Sequence, residues 1–154
     1  MPIDNIGVIL ASRRQIGGDQ TETAVAKAFL AQHALEYDSV EFEVHLGPGI
    51  TLDPAAPEWL QKCATVSTQL RADMVLYRGN YATIVEVKGR LGPPAIGQLL
   101  TYARLLRSDR PDLLQVYKIA AGQSIQAGMT DAFNHWGIEV ELFPGTAIGQ
   151  TTTL

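Results

Sequence analysis

The sequence predicts a single α/β domain, a mixed central β-sheet flanked by helices. Three observations carry that prediction. Residues 40–46 alternate Val40, Phe42, Val44 and Leu46 with Glu41, Glu43 and His45, the period-two pattern of a half-buried strand. Residues 72–88 read as two strands around Gly79-Asn80, a dipeptide suited to the positive φ angles of a tight hairpin turn. Segments with helical spacing of apolar residues lie between and after these strands, and a chain of 154 residues is long enough to bury a core as one domain.

The elements follow in order. Ile6 to Leu10 is a short apolar run, a strand or a buried lead-in. Ser12 to Gly18 is a polar loop with Arg13, Arg14 and two glycines. Asp19 or Thr21 caps a helix running to about His33, with either Ala24, Ala28 and Leu35 or Val25, Phe29 and Leu30 on its apolar side. The Val40–Leu46 strand ends at Gly47-Pro48-Gly49. Pro57 to Leu70 reads as a helix with Trp59, Leu60, Cys63, Val66 and Leu70 on one side. The hairpin strands are Ala72–Arg78 and Tyr81–Lys88. Gly92-Pro93-Pro94 opens a helix over about 95–107, since proline suits a helix start. Leu99, Leu100, Ala103 and Leu106 form its buried side. Leu113 to Ala121 is apolar nearly throughout, as a central strand would be. Gln123 to His135 is expected to be a helix ended by Gly137, and Ile138 to Phe143 a last strand with Val140 and Leu142 inward. The Gly/Thr-rich tail after Pro144 is expected to fray.

Composition bounds the function. Hydrophobic residues make up 46% and charged residues 18%, ordinary for a globular protein, and no apolar run reaches a membrane-spanning length. The net charge of −4 excludes binding to nucleic acid by bulk charge, so any phosphate contact must come from a local basic patch. A lone cysteine, Cys63, makes no internal disulfide, which together with the absence of a basic leader points to an intracellular setting. Cys63, Trp59 and Trp136 are expected in the core. His33, His45 and His135 lack metal-ligand spacing, and no dinucleotide-binding, P-loop or serine-hydrolase motif is present.

The hairpin carries the informative charges. Side chains alternate along a strand, so Ile84, Glu86 and Lys88 share one face while Val85 and Val87 share the other. Residues two apart stand roughly 6.5–7 Å apart at the backbone, close enough for long side chains to converge on one small object. Asp73, near the start of the partner strand, can reach the same place. Two acids and a lysine so gathered suit a divalent cation and a water molecule.

Asp73 before the turn, Glu86-x-Lys88 after it, and a following helix bearing Gln98 and Tyr102 form an order that resembles the PD-(D/E)xK nuclease superfamily. The resemblance covers Glu22 and roughly residues 71–106, and implies a restriction-endonuclease-like core. It implies that Glu22 is the acid of the preceding helix, Asp73 the first strand acid, and Glu86 and Lys88 the Glu-x-Lys pair. Gln98 with Tyr102 looks like the Gln-x-x-x-Tyr element of RecB-like and lambda-exonuclease-like members. Ala72 stands where the superfamily often has proline. The implied activity is metal-dependent hydrolysis of phosphodiester bonds in DNA, with RNA not excluded. The implied cofactor is Mg²⁺, with Mn²⁺ a plausible substitute. Asp73, Glu86, Glu22 and the backbone carbonyl of Val87 would hold it. Lys88 would orient or deprotonate the water, or stabilise charge in the transition state, while Gln98 and Tyr102 position water or phosphate. A homodimer is compatible with so small a domain.

Mg²⁺ prefers hard oxygen ligands and keeps several of its waters, so two or three carboxylates suffice. Arg13, Arg14 and Lys27 near the first helix, and Arg78, Arg90, Arg104 and Arg107 about the hairpin and the next helix, offer the local positive track that the net charge denies. Two other readings stay open on the sequence: a nucleic-acid-binding module that keeps the fold without catalysis, and an interaction domain whose hairpin charges are surface pairs.

Overall fold

A computed structural model describes residues 1–146. Its centre is a five-stranded mixed sheet in the order β1-β2-β3-β4-β5. These strands are β1 (Ser39–Leu46), β2 (Leu70–Arg78), β3 (Tyr81–Leu91), β4 (Gln115–Ile125) and β5 (Ile138–Leu142). β1, β2 and β3 pair antiparallel, whereas β3, β4 and β5 run parallel. The hairpin turn falls at Gly79-Asn80, with Gly79 at φ +55°. Parallel neighbours need crossovers, supplied here by α4 (Pro93–Asp109) and α5 (Thr130–His135).

Two apolar layers cover the sheet. On one face α4 buries Leu99, Tyr102, Ala103 and Leu106 against Val75, Ile84, Val116, Phe133 and Ile138. On the other, α2 (Gln20–His33) buries Val25, Phe29 and Leu30 against Met74, Leu76, Val85 and Val87. The second of the two periodic sets offered for α2 is therefore the buried one, and Leu35 is 95% exposed. Asp19 caps α2 by accepting the Glu22 N–H at 2.8 Å. Pro93 and Pro94 stand in the first turn of α4.

Several expectations are corrected. Ile6–Ala11 is a helix, α1, not a strand. The outer edge of β1 is already occupied: the Val40 N–H donates to the Met1 carbonyl, and Pro2 bridges to Ser39. The chain therefore turns as a helix that lays Ile9 on the α2 layer. Gln123–Ile125 belong to β4, because β3 continues through Leu91 and supplies partners up to Leu91 opposite Ile125. That leaves α5 only Thr130–His135. Leu142 is exposed rather than inward, and Trp136 stands 51% exposed against His135 instead of in the core. α3 (Glu58–Thr68) buries no residue at all: Trp59, Leu60, Val66 and Cys63 on its apolar side all face solvent. Leu70, read as part of that helix, begins β2 and is also exposed. The Gly/Thr-rich tail lies beyond Thr146 for most of its length, outside the described residues.

Candidate active site

β2 and β3 stop pairing just before the charged positions. Their ladder runs from Arg78 opposite Tyr81 to Met74 opposite Val85, and beyond that point the strands separate. Asp73 fills the gap. Its Oδ2 accepts the backbone N–H of Val87 at 2.9 Å, a donor that the diverging β2 backbone no longer serves. A side-chain carboxylate thus replaces a ladder bond, which satisfies a buried N–H and pins the carboxylate between the strands.

Alternation along β3 places Glu86 and Lys88 on the α4 side, with Ile84, and Val85 and Val87 on the α2 side. Glu86 is only 2% exposed, and its Oε1 meets Lys88 Nζ at 3.1 Å. Its Oε2 is buried without a hydrogen-bond partner. Burial first, and the Asp73 carboxylate second, push the Glu86 carboxyl up to about 8. Asp73 is raised as well, chiefly by burial, with the Val87 N–H and the Lys88 ammonium pulling the other way. Burial draws the Lys88 ammonium down, but Glu86, Glu22 and Asp73 outweigh it and leave it above its ordinary value. Two acids near one another and mostly out of water form a site short of positive charge.

Tyr102 and Gln98 complete the wall on α4. Gln98 Nε2 donates to the Tyr102 hydroxyl at 3.5 Å, and Gln98 Oε1 is buried with no partner. The Tyr102 hydroxyl is pushed up by burial and then by Glu86 and Asp73, so both acids act on it electrostatically.

Glu22 approaches from α2. Its carboxylate accepts the Gly18 N–H, and its charge acts on both Asp73 and Lys88. It lies beside Val87: a Cβ added at Gly17 would come within 2.7 Å of Glu22 Oε2 and 3.0 Å of Val87 Cγ2. Gly17 holds φ +78°, and this close approach requires its missing side chain. Thr23 fastens the loop by exchanging hydrogen bonds with the Ile16 backbone at 2.9 Å, and Lys27 donates to the Ser12 carbonyl. Among the described residues, no three carboxylate, imidazole or thiolate side chains gather closely enough to hold a metal ion, and Glu22 is bonded to its glycine loop.

The basic residues divide. Arg90 lines a hollow with Lys88, Gly92, Pro94 and Gln126 at the same end of the sheet as the acids. Arg13 is exposed on the 12–18 loop, Arg14 lies 4.7 Å over the Phe42 ring, and Lys27 is held by Ser12. Arg104 and Arg107 line a separate depression on α4 with Lys118, a basic residue the sequence reading did not include. Arg78 stands at the turn end of the hairpin, about 17 Å along the strand from Asp73. Gly17-Gly18 and Gln126 were also missed. The Gly-Gly pair just ahead of a capped helix was the available signal for the first, and nothing in the sequence marks the second.

No protein-family profile and no curated protein matches the chain. Two solved structures are similar to it. A repair endonuclease from Pyrococcus abyssi aligns with TM-score 0.50 and 13% identity over 84% of this chain and 50% of its own. A chain of an EndoMS–dsDNA complex aligns with TM-score 0.48 and 15% identity over 86% of this chain and 48% of its own. The chain thus spans about half the length of each. At these identities the likeness to the Pyrococcus abyssi enzyme shows a shared fold, a five-stranded mixed sheet with helices on both faces.

Proposed function

We propose that this protein is a metal-dependent nuclease that hydrolyses phosphodiester bonds in DNA. The observation that carries the reading is the meeting of Asp73, Glu86 and Lys88 where β2 and β3 part, with Glu86 Oε2 buried and unpartnered. Two buried acids side by side, which without a metal must share a proton, together with an oxygen aimed at no donor among the described residues, fit a site for a cation. The shared fold with a repair endonuclease adds support.

The donor set is hard oxygen, which suits Mg²⁺ and admits Mn²⁺. Asp73 and Glu86 would hold the ion, joined by the Val87 carbonyl, which leaves the same strand edge as the N–H given to Asp73. Glu22 would join through a rotation away from Gly18. Bound there, the ion supplies a more acidic water and neutralises charge on the phosphate. Lys88, held protonated by its acidic neighbours, donates to a phosphate oxygen and stabilises the charge that grows there. Gln98 and Tyr102 orient the water or phosphate from the α4 side. Arg90, and Arg13 from the other flank, steer the backbone of the nucleic acid toward the site.

A panel of linear, circular, branched and single-stranded DNA, incubated with Mg²⁺ or Mn²⁺ and with chelator, tests this. Ion-dependent cleavage of at least one substrate is expected. Binding without cleavage under every condition would select a non-catalytic module with the same fold.

A further inference from the structure

α2 covers Val85 and Val87 but stops short of the first residues of β3 on the same face. A cavity of about 480 Å³ opens there, at the end of the sheet away from Asp73 and Glu86. Register builds it. Arg78 stands opposite Tyr81, Thr83 opposite Tyr117, and Ile119 opposite Glu139, so side chains from four strands share one face. Glu36 and Tyr37, from the turn that follows α2, complete the lining. Where α2 covers this face it carries Met74, Leu76, Val85 and Val87, whereas here it carries tyrosines, a threonine and charges. The patch is therefore not bare core. Thr83 lies on its floor at 5% exposure, and apart from Tyr102 the buried side chains with polar atoms are Thr83 and Glu86 alone among the described residues. The Tyr37 hydroxyl is pushed up by burial, against the Thr83 hydroxyl, which pulls the other way. The Tyr81 and Tyr117 rings, with centroids 6.3 Å apart, form a half-exposed platform. None of the ion pairs among the described residues uses Arg78 or Glu139. A concave, aromatic-lined space of this size with a few placed polar groups is the usual form of a small-molecule site.

We infer that this cavity binds a purine nucleotide, guanine above the other bases. The tyrosine platform offers a π-face for stacking, which favours a double ring. The charges are sorted by position: Arg78 is on β2 and Glu139 on β5, three strand spacings or about 14 Å apart. A nucleotide matches that polarity, with its phosphate at Arg78 and the donor edge of its base at Glu139 or Glu36. Guanine presents two adjacent donors, N1–H and the exocyclic amine, to a single carboxylate. Adenine and cytosine present an amine beside an acceptor, and uracil one N–H between two carbonyls. An organic cation would satisfy the acids and leave Arg78 unmatched. A free guanine nucleotide and one within a single strand offer the same chemistry. The site is independent of the nuclease reading.

Calorimetric titration of the purified chain in EDTA tests it, with GMP, guanosine, UMP and a single-stranded DNA pentanucleotide holding one central guanine. GMP should saturate the protein below about 1 mM, with UMP at least about 10-fold weaker. Arg78→Ala should weaken GMP about 10-fold and leave guanosine unchanged, Glu139→Gln should narrow the gap between GMP and UMP, and Tyr117→Ala should weaken GMP and guanosine alike. All three positions are exposed, so circular dichroism should not change. Binding of the pentanucleotide but not of GMP, lost in Tyr117→Ala, would assign the site to a nucleotide within a strand. No saturable binding of either ligand would overturn the inference. Binding unchanged in all three variants would overturn it too, by placing the nucleotide elsewhere.

Discussion

The Asp73 carboxylate accepts the Val87 N–H at 2.9 Å across the point where two paired strands come apart. One residue thereby closes the backbone gap and carries the first acid into it. Its substitution should separate the two roles. In Asp73→Ala the Val87 N–H is left without a partner on a fully buried residue, which should cost about 1–3 kcal/mol. Asp73→Asn retains an acceptor and should cost less. Thermal unfolding of both variants checks the order, and equal losses would show that the N–H is satisfied some other way.

Glu86 predicts a pH dependence of the metal-free protein. Its carboxyl titrates near 4.5 in the unfolded chain and at about 8 in the fold. Between those values the unfolded state binds fewer protons than the folded one, so stability falls as pH rises. The penalty is absent below the unfolded value and complete above the folded one. Glu86→Gln cannot ionise, so its melting temperature minus that of the wild type should grow from pH 5 to pH 9 in chelator. Parallel curves would mean that Glu86 is ionised in the fold at neutral pH.

Gly17 should not tolerate a side chain. Its φ is +78°, and an added Cβ would meet both Glu22 and Val87 within 3.0 Å. Gly17→Ala should therefore destabilise by roughly 1–2 kcal/mol through strain and displace Glu22. Gly128 has a similar φ of +81° but open space around it, so Gly128→Ala tests strain alone. A larger melting-temperature loss at Gly17 is expected. Equal losses would remove the packing argument for the glycine loop.

The sheet was legible where the local pattern and the tertiary environment agree. β1 is half-buried and alternates. The hairpin has its turn glycine and buries both faces. The charged positions on β3 followed from alternation alone, which is why Glu86 and Lys88 were legible as a pair. The failures share one cause, that a pattern of apolar residues does not say what covers it. Ile6 to Leu10 reads the same as a strand or a helix until the β1 edge is known to be taken by Met1 and Pro2. The α3 stripe predicts burial, and the fold leaves it bare. Gln123 to Ile125 became strand because β3 runs three residues past Lys88, a length set by pairing and not by composition. The separation of β2 from β3 at Met74, which turns Asp73 into a cap for Val87, has no sequence signature at all.

The most direct test of the central claim is the rate of Mg²⁺-dependent DNA cleavage by Glu86→Gln against wild type on the best substrate of the panel. The variant keeps the volume and a hydrogen-bonding group but loses the charge a cation requires. A fall of at least about 100-fold, with the fold intact by circular dichroism, is predicted on the scale of losing one charge-stabilising group. Cleavage at the wild-type rate would show that the gap between β2 and β3 is not where phosphodiester bonds are broken.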